Sequence, residues 1–125
     1  MISNWTAYEG GEHREKFRKP RVTLNPQKEL YLGVKAVDLI GRPKPVRLYF
    51  DVAASLIGVM PVAEGTENSF PLHPIGKYTY AFVRAATFCN NFGIRPDARI
   101  EFQDVRVDPD GMMVLDLKTA RRLRG

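Results

Sequence analysis

The side chains in this sequence with an evident chemistry are its cations. Nineteen Lys and Arg against fourteen Asp and Glu leave a net charge of +5. Arg14, Lys16, Arg18, Lys19 and Arg21 crowd residues 13–21 against the lone Glu15, and Lys118, Arg121, Arg122 and Arg124 crowd residues 118–125. Each cluster carries a net +4, so the body between them is slightly acidic, at −3. That pattern describes basic arms on a near-neutral body. Cations so placed suit phosphate contact, in which each neutralised phosphate releases counterions and affinity falls with salt. The plainer reading is solvated, solubilising ends. Reading a base sequence needs Arg, Asn or Gln aimed at base edges, and no residue pattern singles these out.

Other chemistry is weakly represented. A nucleophile at Cys89 needs a base beside it. The two histidines are His13, in the first arm, and His73, in a turn, with no orienting group evident. Cys89 therefore reads as a buried, inert thiol. Asp104, Asp108 and Asp110 lack the spacing of a calcium loop, and Asp108-Pro109-Asp110-Gly111 reads as a hairpin turn. No Cys and His cluster has zinc spacing, and Gly10-Gly11 alone is no phosphate cradle. Tyr31, Tyr49, Tyr78 and Tyr80 fall in expected strands. Strand aromatics stack on unpaired bases in some binders, but more often they pack. The expectation is a protein without catalytic, metal or cofactor sites and without a small-molecule substrate.

The elements that position these residues are short. Arg21 to Leu24 and Glu29 to Leu32 alternate about the turn Asn25-Pro26-Gln27-Lys28 and predict a hairpin. Val34 to Ile40 predicts a two-turn helix stopped by Gly41 and Pro43. Val46 to Phe50 and Leu56 to Val62 predict a second hairpin. After the polar stretch Ala63 to Ser69, the order restarts with strands near Phe70 to His73 and Lys77 to Phe82. A helix follows from about Val83, with Phe82, Ala85, Ala86, Cys89 and Phe92 on one face, stopped by Gly93 and Pro96. Ala98 to Phe102 and Met112 to Leu117 predict a closing hairpin, and Lys118 to Gly125 a short basic helix or tail.

The two halves match residue by residue. Gly41, Arg47 and Phe50 correspond to Gly93, Arg99 and Phe102 at one constant spacing. Tyr31, Val34, Lys35 and Ala36 correspond to Tyr80, Val83, Arg84 and Ala85 at a slightly shorter one. The chain is read as two diverged copies of a β-β-α-β-β unit, 21–62 and 70–117, joined by a linker at 63–69. A basic N-terminal arm, 1–20, precedes them and a basic tail, 118–125, follows. A unit this small cannot bury its own apolar face, whereas two interleaved units sharing one core can.

This order resembles the AbrB/MazE/SpoVT group of swapped-hairpin proteins. The carrying segments are Phe92-Gly93-Ile94-Arg95-Pro96-Asp97-Ala98-Arg99-Ile100-Glu101-Phe102 and, more loosely, Leu39-Ile40-Gly41-Arg42-Pro43. The resemblance implies a mostly β fold with two short helices, a pseudo-twofold swapped-hairpin β-barrel built from tandem units. It also implies DNA binding, as a transcriptional or antitoxin-like regulator, through cations of the first hairpin and the helix start. By position these are Arg21, Lys28 and Lys35 in the first unit and Lys77 and Arg84 in the second. With the arms, the candidate nucleic-acid-binding set is Arg18, Lys19, Arg21, Lys28, Lys35, Lys77, Arg84, Arg121, Arg122 and Arg124.

The expected function is thus a bacterial, non-enzymatic DNA-binding regulator. The alternative is a small interaction subunit whose basic arms grip a partner protein. No run nears the roughly twenty apolar residues of a membrane helix, no export signal is evident, and a single Cys suits a reducing cytoplasm.

Overall fold

A computed structural model describes residues 19–41, 45–76 and 80–123. The first hairpin is β1 (Val22–Leu24) and β2 (Glu29–Leu32). Its turn is held by the Asn25 carboxamide, whose Oδ1 accepts from the Glu29 N–H at 2.9 Å. Val34–Ile40 then forms helix α1, burying Ala36, Val37 and Ile40, and ends at Gly41 with φ +69°. The hairpin β3 (Val46–Asp51) and β4 (Leu56–Pro61) follows. In the second half, β5 (His73–Ile75) and β6 (Tyr80–Arg84) precede α2 (Ala86–Phe92). After it come β7 (Ile100–Glu101), β8 (Val105–Val107) and β9 (Met113–Asp116), then a 3-10 turn at Leu117–Thr119 and β10 (Arg121–Arg122).

The fold is mostly β with two helices, and its strands divide into two sheets. One has six strands in the order β10-β7-β1-β2-β6-β5; the other has four, β3-β4-β9-β8. The expected closed barrel is replaced by these separate sheets. The reason lies in residues 97–107. The expected strand forms only at Ile100–Glu101, and its partner is β1, through Thr23↔Glu101 and Leu24↔Ile100. The hairpin partner of β9 is β8, reached through the Asp108–Gly111 turn. The chain therefore crosses from one sheet to the other between β7 and β8. Arg47, on β3, and Arg99, beside β7, lie at different sheets.

A second difference falls at Tyr80–Arg84, part of which reads as helix in the sequence. Here pairing with β2 wins: Glu29↔Arg84, Leu30↔Val83, Tyr31↔Phe82 and Leu32↔Ala81. The helix begins only at Ala86. Lys35 and Arg84 therefore sit on a helix and a strand. Helix propensity is a weak prior, and a ready-made strand partner with one apolar face overrides it. The tail expected at Lys118 to Gly125 begins as part of the 3-10 turn Leu117–Thr119, and Arg121 and Arg122 then add a strand.

The core lies against one face of each sheet. Val22, Leu24, Leu30, Leu32, Ala81 and Val83 supply it from the six-stranded sheet. Val46, Ile57, Val59, Met113 and Leu115 supply it from the four-stranded sheet, and Phe88, Cys89 and Ile94 from α2 and its exit. Their alternation with outward residues is the period-2 pattern of a half-buried strand. The outward face of the six-stranded sheet is left to carry the chemistry.

Candidate nucleic-acid interface

Strand register lines up one row of side chains across all six strands. Arg121, Glu101, Thr23, Tyr31, Phe82 and His73 stand opposite one another in turn on β10, β7, β1, β2, β6 and β5. Because inward and outward residues alternate along each strand, and the neighbours of Glu101, Thr23, Tyr31 and Phe82 form or pack on the core, this row belongs to the outward face.

One half of the row is aromatic. Tyr31 and Phe82 stack with ring centroids 5.5 Å apart, and His73 stacks on Phe82 at 5.0 Å. The Arg84 guanidinium stands over the Phe82 ring, 5.4 Å from its centroid. The Tyr31 hydroxyl donates to Glu29 Oε1 at 3.4 Å, and the same oxygen accepts from Asn25 Nδ2 at 2.9 Å. The other half of the row is charged. Arg21 Nε pairs with Glu101 Oε2 at 3.2 Å, with the arginine side chain 57 % exposed.

Beside this row lies an open groove of about 920 Å³. Lys19, Arg21, Lys35 and Arg99 line it, with Glu101 and Asp104 as the carboxylates and Tyr31 and Tyr80 among the apolar contributors. Lys35 reaches it from the first turn of α1, and Arg99 from the approach to β7. Leu123 donates its N–H to the Arg99 carbonyl at 2.8 Å, which holds the C-terminal segment along the same edge.

The structure gathers part of the expected set and disperses the rest. Lys19, Arg21 and Lys35 meet at the groove; Arg121 and Arg122 lie on β10, two strands from β1. The described cations of the two basic segments, Lys19 and Arg21 from one and Arg121 and Arg122 from the other, thus come within three neighbouring strands of one sheet. Arg122 Nη1 also approaches Asp97 Oδ2 at 3.5 Å, both side chains being well exposed. Exposed pairs of this kind contribute about 0–1 kcal/mol, so a phosphate displaces them at little cost. Lys28 and Arg84 stand at the far end of the β2–β6 pair, where Lys28 Nζ donates to Asn90 Oδ1. Arg18, Lys77 and Arg124 lie outside the described residues.

Sequence reasoning missed Arg99 as a groove residue and Phe82 and His73 as ring partners of Tyr31. The outward alternation of β2 was a usable signal for Tyr31. The signal for Phe82 was hidden by its place in a helical pattern. Cys89 is 1 % exposed, and burial pushes its thiol up, against a smaller opposite pull from Lys28. Among the described residues no group of His, Cys, Asp and Glu is placed to hold a metal ion, and no helix is long and apolar enough to cross a membrane. Comparison of the chain with protein-family models, curated proteins and solved structures returns no match.

Proposed function

We propose that this chain binds DNA through the outward face and β10–β7–β1 edge of the six-stranded sheet, as a non-enzymatic regulator of transcription or an antitoxin-like protein. The observation that carries the reading is the convergence of cations from both ends of the sequence. Lys19, Arg21, Lys35 and Arg99 line one groove on the outward side of the sheet, and Arg121 stands on the same face at β10, with Arg122 beside it at the edge. A track of mobile-headed cations on a rigid strand platform is suited to following a phosphate backbone.

The proposal includes the tandem origin and the likeness to swapped-hairpin regulators. Two seams support it. At β2–β6, Tyr31 faces Phe82 while Leu30 faces Val83 and Leu32 faces Ala81. At β4–β9, Gly58 faces Val114 while Ile57 faces Leu115 and Val59 faces Met113. Each seam joins the first half of the chain to the second, antiparallel, with buried residues placed reciprocally about its centre. Each antiparallel seam has its own local half-turn, as an exchange of the halves would require. On this reading β3–β4 corresponds to β8–β9, so the spacing match of Arg47 and Phe50 with Arg99 and Phe102 does not carry the tandem origin.

The test is fluorescence anisotropy with a labelled duplex across a salt series. Log affinity is expected to fall linearly with log salt, and each cation removed should lower the slope by about 0.9. A variant combining Arg21→Ala, Lys35→Ala, Arg99→Ala and Arg121→Ala should lose most binding. Undiminished binding by that variant, or none by the wild type at low salt, overturns the proposal; a co-purifying protein partner in the second case would favour the interaction-subunit reading.

A further inference from the structure

Among the described residues the two sheets have four edges, and three of them are guarded against further pairing. β5 is three residues long and contains Pro74. β10 has two residues, both Arg, and β8 has three, with Arg106 at its centre. The fourth edge, β3, runs for six residues as Val-Arg-Leu-Tyr-Phe-Asp, without Pro or Gly. Long, unguarded edges are templates for another strand.

The backbone of β3 defines which of its groups are open. The Pro45 carbonyl accepts from the Val62 N–H at 2.9 Å, so position 45 bonds toward β4. Alternation then turns Arg47, Tyr49 and Asp51 toward β4 and Val46, Leu48 and Phe50 away from it. Val46 spends its outward bonds on Phe70, donating to its carbonyl at 2.9 Å and accepting from its N–H at 2.7 Å. Leu48 and Phe50 have no such partner among the described residues.

We infer that β3 pairs antiparallel with β3 of a second copy of this chain, Leu48 opposite Phe50, joining two four-stranded sheets into one. Three independent features select this register. First, Leu48 and Phe50 are the open residues, and in this alignment each exchanges both backbone bonds with the other across the axis. Second, Tyr49 falls opposite its own counterpart, and Arg47 falls opposite Asp51 on the outward face at both ends. Like charges never meet, and two oppositely charged cross-strand pairs form. Third, the overlap ends where it must: beyond Asp51 the chain turns at Val52–Ser55 toward its own β4, away from the position that Phe70 occupies beside Val46. On the inward face, Leu48 meets Phe50 of the second copy, extending the apolar contact of Phe50 with Phe88 and Phe92. The shifted alternatives either require Val46, already bonded, or place Arg47 away from Asp51.

The experiment is disulfide trapping combined with sedimentation equilibrium. Tyr49, 44 % exposed, points outward, so Tyr49→Cys leaves the core intact. Self-opposed residues of a non-hydrogen-bonded pair lie about 4.5 Å apart at Cα, within the range a disulfide spans. Tyr49→Cys is expected to form a covalent dimer under mild oxidation; Cys89, buried, stays silent. Arg47→Cys alone and Asp51→Cys alone are expected not to, since each lies roughly 13 Å along the strand from its own copy. A mixture of those two variants should cross-link. Without cross-linking, the wild type should dimerise at roughly 10–100 μM, as small interfaces do. Arg47→Asp should weaken the dimer at least ~10-fold, as should Asp51→Arg, and mixing the two should restore it as a heterodimer. A wild type that stays monomeric at about 0.5 mM overturns the inference. So does self-cross-linking of Arg47→Cys as readily as Tyr49→Cys, or charge variants that dimerise like the wild type.

Discussion

Tyr31 and Phe82 face each other across the seam between β2 and β6, their rings stacked 5.5 Å apart and inclined by 27°. This contact joins the two halves of the chain on the outward side, where no core residue helps. Cross-strand aromatic pairs contribute about 0.5–1.5 kcal/mol beyond their burial. A double-mutant cycle of Tyr31→Ala and Phe82→Ala, followed by urea unfolding, should show a coupling energy in that range. Additive effects would show that the rings touch without supporting the seam.

Met112 lies across Gly58 on the outward side of the four-stranded sheet. A Cβ at position 58 would come within 2.5 Å of the methionine sulfur and 3.3 Å of its Cγ. Gly58→Ala should therefore push the flexible Met112 side chain aside and destabilise by less than about 1 kcal/mol. Met112→Ala, added to it, should recover most of that loss. The check is the midpoint of chemical unfolding for the two single variants and the double.

Gly93 closes α2 with φ +68°, and a Cβ there would meet nothing within 4 Å. The cost of a side chain is conformational alone. Gly93→Ala should lose about 1–2 kcal/mol, and Gly93→Asn distinctly less, because Asn tolerates the left-handed region. Equal losses for the two, measured by thermal unfolding, would point to a steric cause instead.

Among the described residues, Cys89 and Asp116 give the stability profile an alkaline and an acid limb. Burial holds the Cys89 thiol above its ordinary value of 9.0. The neutral thiol is then favoured in the folded chain, so its contribution is complete below 9.0 and lost as pH climbs through the raised value. Cys89→Ala should cost about 1 kcal/mol at pH 7 but flatten the alkaline decline. Asp116 behaves oppositely. The backbone N–H of Lys118, bonded to its carboxylate at 2.8 Å, holds it below its ordinary value of 3.8, with desolvation opposing. Its contribution is present above 3.8 and lost as pH falls through the lowered value; Asp116→Asn should remove that acid dependence. Unfolding curves at pH 3, 7 and 10 separate the two limbs.

Local sequence was sufficient wherever an element is decided by its own residues. Val34–Ile40 is legible because Ala36, Val37 and Ile40 repeat at helical spacing and Gly41 with Pro43 stops the turn. The β1–β2 hairpin is legible because Asn25 and Pro26 build its corner, and β3 because Val46, Leu48 and Phe50 alternate with polar neighbours. Where the outcome rests on a distant partner, the same reasoning stops. Ile100 and Glu101 announce a strand, yet only β1, waiting with Thr23 and Leu24, assigns it to the six-stranded sheet. Tyr80 to Arg84 carries a helix-compatible pattern until β2 offers its backbone. The charge of the two ends was plain from composition; that Arg21 and Arg121 would flank β7 was not. A strand's period is written in its own side chains, but its neighbour is chosen by hydrogen bonds and apolar contacts that close only when the whole chain has collapsed.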